Sequence, residues 1–79
     1  MSNEAIQAQL ASIIEDVIQT SVGADDLLIE SGLIDSLTAV DVVLAVKRTF
    51  GCRFPATEID EHLESLNTLT AYVAAHRTL

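Results

Sequence analysis

Ile6, Leu10, Ile13, Ile14, Val17 and Ile18 recur at intervals of three and four. That spacing lays them on one helical face and predicts a helix over residues 4–20. Gln7, Gln9, Ser12, Glu15, Asp16 and Gln19 fill the opposite face. Ser2 or Asn3 can cap its start, Glu4 suits the first turn, and Gly23 is the expected stop. Residues 23–35 then form a long connection, in which Asp25-Asp26 can start a short turn. Leu27, Leu28, Ile29, Leu33 and Ile34 are too apolar for a solvated linker, so this segment should pack on the core, with Gly32 supplying a turn. A loop of this length with apolar anchors is more often functional than idle.

The pattern predicts a second helix over residues 36–50. Leu37, Val40, Val43, Leu44 and Phe50 mark one broad face, and Ala39, Val42 and Val46 cover much of the rest. A helix apolar nearly all round is usually central. Its valines lower helix propensity, so packing must hold it. A strand over Val40–Val46 is rejected, because the run lacks period-two alternation. Gly51 ends the helix and Pro55 delays a restart. Thr57-Glu58-Ile59-Asp60 has the look of a capping arrangement, with Thr57 as cap, opening a short helix to about Leu63. Asn67 or Thr68 caps a last helix, with Leu69, Tyr72, Val73 and His76 on one side. The expected fold is all-α: a small four-helix bundle of three longer helices and one short one, in one domain over residues 1–79.

Composition narrows the partners. The chain has 79 residues, one Tyr, two Phe and no Trp, so its core must be aliphatic. One cysteine excludes an internal disulfide, and no Cys/His set offers four metal ligands. The net charge of −8 argues against nucleic acid and against an anionic membrane surface, and it favours basic partners. The charge is unevenly spread. Glu4, Glu15, Asp16, Asp25, Asp26, Glu30, Asp35 and Asp41 face no basic residue over the first 41 positions; Lys47, Arg48 and Arg53 cluster just after. No window approaches a membrane span, and Met1-Ser2-Asn3-Glu4 lacks the charged and apolar regions of a signal peptide. A cytoplasmic monomer is expected, and the single Cys52 fits a reducing compartment.

Little in the chain can catalyse. His62 and His76 read as surface or half-buried helical residues, and Cys52 as a small, partly buried thiol. Glu58, Asp60, Glu61 and Glu64 read as a solvated face rather than a metal site. No glycine-rich phosphate loop is present. Ser36 stands apart. It opens the second helix, where backbone N–H groups lack partners and the dipole is positive, a setting that stabilises an attached anion. The plainer reading is that Asp35 or Ser36 simply caps the helix.

Leu33-Ile34-Asp35-Ser36-Leu37, followed by Val40, Asp41 and an apolar helix ending Lys47-Arg48-Thr49-Phe50, resembles the acyl carrier protein family. The resemblance implies that Ser36 receives a 4′-phosphopantetheine arm from coenzyme A, whose thiol carries acyl or aminoacyl groups as thioesters. It implies that Asp35 contacts the phosphopantetheinyl transferase. It also implies a partner-reading surface of Leu37, Thr38, Val40, Asp41, Leu44, Lys47 and Arg48, while helix geometry makes Val43, Val46 and Phe50 the better core candidates.

Carriers of fatty acid synthesis usually follow the motif with an acidic residue and end this helix with an acidic cluster. Thr38 and Lys47-Arg48 occupy those places here. Phe54-Pro55-Ala56-Thr57-Glu58-Ile59-Asp60 and Ile29-Glu30-Ser31-Gly32-Leu33-Ile34-Asp35-Ser36 are instead similar to D-alanyl carrier proteins of teichoic acid modification. The resemblance therefore points to a stand-alone, non-catalytic carrier of an aminoacyl or other small acyl group. An adenylating ligase would load it, and downstream transferring enzymes would unload it. A fatty-acid or polyketide carrier is the alternative, and a helical interaction module without covalent cargo a further one.

Overall fold

The computed structural model describes residues 2–78, so Met1 and Leu79 of the expected 1–79 unit lie outside the described residues. Four helices follow in order: α1 (Asn3–Ile18), α2 (Ser36–Phe50), α3 (Ile59–His62) and α4 (Leu66–His76), with a 3-10 turn at Ala56–Glu58 leading into α3. No strand occurs among the described residues. The expected all-α bundle is the fold observed, with principal extents of 29 × 25 × 18 Å.

α1 packs against both α2 and α4. Its buried stripe is Ile6, Leu10 and Ile14, and Ile13, Val17 and Ile18 lean on the core from its flank. Ser2 is the cap, its Oγ accepting from the Ala5 N–H at 3.2 Å. The helix ends earlier than the spacing predicts. Gln19 turns left-handed at φ 60°, its N–H bonds the Glu15 carbonyl at 2.8 Å, and its side chain donates to the Asp16 carbonyl at 2.7 Å. A glutamine that satisfies the last carbonyls thus does what was expected of Gly23. Gly23 instead closes the Asp25-Asp26 turn, its N–H bonding Asp26 Oδ2 at 2.7 Å.

α2 has the expected bounds, with Gly51 at φ 65° stopping it. Its buried side is Ala39, Val42, Val46 and Phe50. Val46 and Phe50 match the sequence reading, whereas Val43 is only half-buried and Val42 takes the inner position. Two caps also differ. The 3-10 turn before α3 has no side-chain cap, and Thr57 lies within it. α4 is capped by Ser65, which accepts from the Thr68 N–H at 3.1 Å. Asn67 is engaged across the bundle instead. It accepts from Gln7 at 2.9 Å and donates to Asp25 at 2.6 Å, tying α4 to α1 and to the long connection.

That connection is packed rather than loose. Leu28 and Ile34 are fully buried, while Leu27 turns outward. The Leu28 N–H donates to the Glu64 carbonyl and the Ile34 N–H to the Leu28 carbonyl, each at 2.9 Å. Gly32, at φ 84°, makes the reversal between them in a conformation that L side chains resist. Buried Ile34 therefore delivers the chain to Asp35 from a fixed point.

Candidate functional site

At the start of α2 two side chains could take the same backbone donors, and Asp35 takes them. Its Oδ1 accepts from the Leu37 N–H at 3.0 Å and the Thr38 N–H at 2.9 Å. In return the Asp35 N–H donates to Thr38 Oγ1 at 2.8 Å, and the Thr38 hydroxyl lies 3.1 Å from Asp35 Oδ1 and 3.2 Å from the Asp35 carbonyl. This is a capping box with threonine in the place usually held by Glu or Gln. These bonds stabilise the ionised carboxylate. The Thr38 N–H and then its hydroxyl hold the Asp35 carboxyl below its ordinary range; desolvation opposes them, and the Leu37 N–H adds a lesser lowering.

Ser36 is left as the first residue of the helix, exposed, with its hydroxyl bonded to nothing among the described residues. One expectation changes. The open N–H groups that were to favour an anion at Ser36 are already spent on Asp35, so only the Ser36 N–H itself remains free in that turn. A phosphodiester here must stand outward in solvent beside a carboxylate. What the site offers is an accessible, uncommitted hydroxyl on a capped first turn.

The expected partner surface falls into two rows along α2. Leu37, Asp41, Leu44 and Arg48 form one; Ser36, Val40 and Lys47 form the other. Leu37 is 78 % exposed, Val40 50 % and Leu44 45 %, a large apolar display for so small a molecule. Asp41, Lys47 and Arg48 are exposed beside them. Thr38, also expected on this surface, is half-buried, and its hydroxyl is engaged in the capping box.

Arg53, read from the sequence as part of a basic cluster, and Phe54, read as part of the segment after α2, were not among the expected site residues. With Val43, Leu44, Lys47 and Cys52 they line a groove of about 450 Å³ beside the second half of α2. No helical spacing could link them to Ser36, since they lie on the separate segment after Gly51. Cys52 is free and fully buried, and burial pushes its thiol up. His62 and His76 pack on the Tyr72 ring at centroid distances of 3.7 and 4.3 Å, and His62 pairs with Glu58 at 3.4 Å. Among the described residues no three His, Cys, Asp or Glu side chains gather as a metal site, and Glu58, Asp60, Glu61 and Glu64 are all exposed. No described helix is long and apolar enough to cross a membrane.

A family model described as a phosphopantetheine attachment site matches residues 6–73, from the first turns of α1 to late α4. A search of curated proteins found no match.

Proposed function

Because the chain belongs to the phosphopantetheine-attachment family, whose members bear a covalently bound 4′-phosphopantetheine, we propose that Ser36 is the attachment residue of a non-catalytic carrier. The observation that carries this is the division of labour at the start of α2. Asp35 and Thr38 complete the cap between them, so the Ser36 hydroxyl is exposed and uncommitted. A serine that capped the helix would hold its oxygen against the backbone, away from a transferase.

In this reading the bound arm supplies a terminal thiol that carries an acyl or aminoacyl group as a thioester. The chain's own residues position and present. Gly32 and buried Ile34 fix the approach to α2, and Asp35 presents its remaining carboxylate oxygen to the phosphopantetheinyl transferase. Leu37, Val40 and Leu44 offer apolar contact to partner enzymes, with Asp41, Lys47 and Arg48 setting which charges fit. Cys52 is fully buried, so the chain's own thiol is not presented to solvent. The cargo we propose is a small acyl or aminoacyl group, loaded by an adenylating ligase and handed to downstream transferring enzymes in the cytoplasm. The lack of acidic residues at Thr38 and Lys47-Arg48 sets the chain apart from carriers serving strongly basic fatty-acid enzymes.

The test is incubation with coenzyme A and a broad-specificity transferase, read by intact mass. A gain of one arm that disappears in Ser36→Ala supports the reading. An unmodified wild type overturns it and leaves the alternative of an interaction module, in which Ser36→Asp keeps both fold and binding.

A further inference from the structure

Counting four, seven and eleven residues on from Ser36 reaches Val40, Val43 and Lys47, a spacing that stays on one helical face. At 1.5 Å per residue, Lys47 lies about 16 Å along the axis from Ser36. The row runs over exposed Val40 and into the groove lined by Val43, Leu44, Lys47, Cys52, Arg53 and Phe54. The groove's lining is mixed: Val43, Leu44 and Phe54 supply apolar surface, and Lys47 and Arg53 supply cationic groups. None of its lining residues is acidic, and among the described residues neither Lys47 nor Arg53 forms an ion pair. The Arg53 main chain is held in place: its carbonyl accepts the Tyr72 hydroxyl at 2.5 Å, and Tyr72 packs against His62 and His76. On a chain of net charge −8 this pair of cations is a local reversal of sign.

We infer that this groove receives the far end of the group carried on Ser36 and favours acyl groups that end in a carboxylate. It disfavours apolar acyl groups and, more strongly, aminoacyl groups with a free ammonium. The inference rests on the carrier reading and narrows its cargo. A phosphopantetheine arm with the serine oxygen has about as many chain atoms as five residues, so it extends about 17 Å. That length brings the thioester beside Lys47 and leaves the end of a short acyl group facing Arg53. Exposed ion pairs are weak, so the bias is about fivefold in groove occupancy rather than an absolute choice.

The experiment installs three arms on isotope-labelled protein, using coenzyme A derivatives in which an amide replaces the thioester. Glutaryl, pentanoyl and aminopentanoyl ends give matched lengths with a negative, neutral and positive terminus. The glutaryl arm should shift the NMR signals of the Leu44, Lys47 and Phe54 amides and of Arg53 Nε–H. These shifts should exceed those from the pentanoyl arm about fivefold, with the aminopentanoyl arm giving none. Added salt should collapse the difference in the wild type, and Arg53→Gln or Lys47→Gln/Arg53→Gln should remove most of it. Equal shifts from glutaryl and pentanoyl arms, or a glutaryl shift that survives both salt and the double substitution, overturn the inference alone. Failure to install any arm on Ser36 overturns the carrier reading and this inference with it.

Discussion

Replacing Asp35 and Ser36 in turn separates the residue that holds the helix from the residue proposed to be modified. In Asp35→Ala, the Leu37 and Thr38 N–H groups lose their acceptor and the Thr38 hydroxyl loses its carboxylate partner. Loss of an N-cap of this class in a domain of this size lowers the melting midpoint by about 4–8 °C. Ser36→Ala removes a hydroxyl that bonds nothing among the described residues, at an exposed first-turn position. Its effect should stay within about 0.5 kcal/mol of zero. Asp35→Asn keeps a capping oxygen and should recover most of the loss, because asparagine caps about as well as aspartate. Urea and thermal unfolding followed by circular dichroism measure all three variants. Destabilisation by Ser36→Ala of more than about 1 kcal/mol, with none from Asp35→Ala, would mean that Ser36 is the cap and its hydroxyl is occupied. If Asp35→Asn melts near the wild type yet is modified more slowly by the transferase, the carboxylate also serves recognition.

Other outcomes follow from burial and charge. Leu10→Ala opens a cavity at the centre of α1 and should cost about 2–5 kcal/mol in urea unfolding, a large share of what so small a domain holds. Leu37→Ala and Leu44→Ala, on the exposed rows, should change stability by less than about 0.5 kcal/mol while slowing loading by a partner ligase. Cys52 should resist thiol reagents in the native apo protein and react once in urea; the holo protein should show one native-state thiol, that of the arm. The lowered Asp35 carboxyl favours the folded state when ionised. That contribution is complete above the unfolded-state value and disappears as pH falls through the lower folded value. The gap in urea midpoint between wild type and Asp35→Ala should therefore hold from neutral pH down to the ordinary carboxylate range and shrink below about pH 4.

What could be read from the sequence depended on whether residue type alone announces the deciding interaction. The bounds of α2 were legible because both signals lie next to the helix: Asp35-Ser36 at its start, and Gly51 in a left-handed conformation at its end. The choice between Asp35 and Ser36 as cap was not, since it turns on Thr38 returning a bond to the Asp35 N–H. The end of α1 was missed because Gln19 adopts a left-handed conformation usually taken by glycine. The cap of α4 was misplaced because Asn67, a good cap by type, is drawn into contacts with Gln7 and Asp25, distant in sequence. Val42 and Val43 were confused because a helix apolar nearly all round does not declare which face its neighbours cover. The basic cluster of Lys47, Arg48 and Arg53 was legible, but the groove was not, because it forms only where the segment after Gly51 lies beside α2.

On the carrier reading the arm sits on Ser36 and on no other hydroxyl. The most direct measurement is tandem mass spectrometry of the chain after incubation with coenzyme A and a transferase, with fragments that separate Ser31, Ser36 and Thr38. The expected result is one 4′-phosphopantetheine per chain, localised to Ser36, and none on Ser36→Ala. An arm on Ser31 or Thr38, or a wild type that stays unmodified, would contradict it.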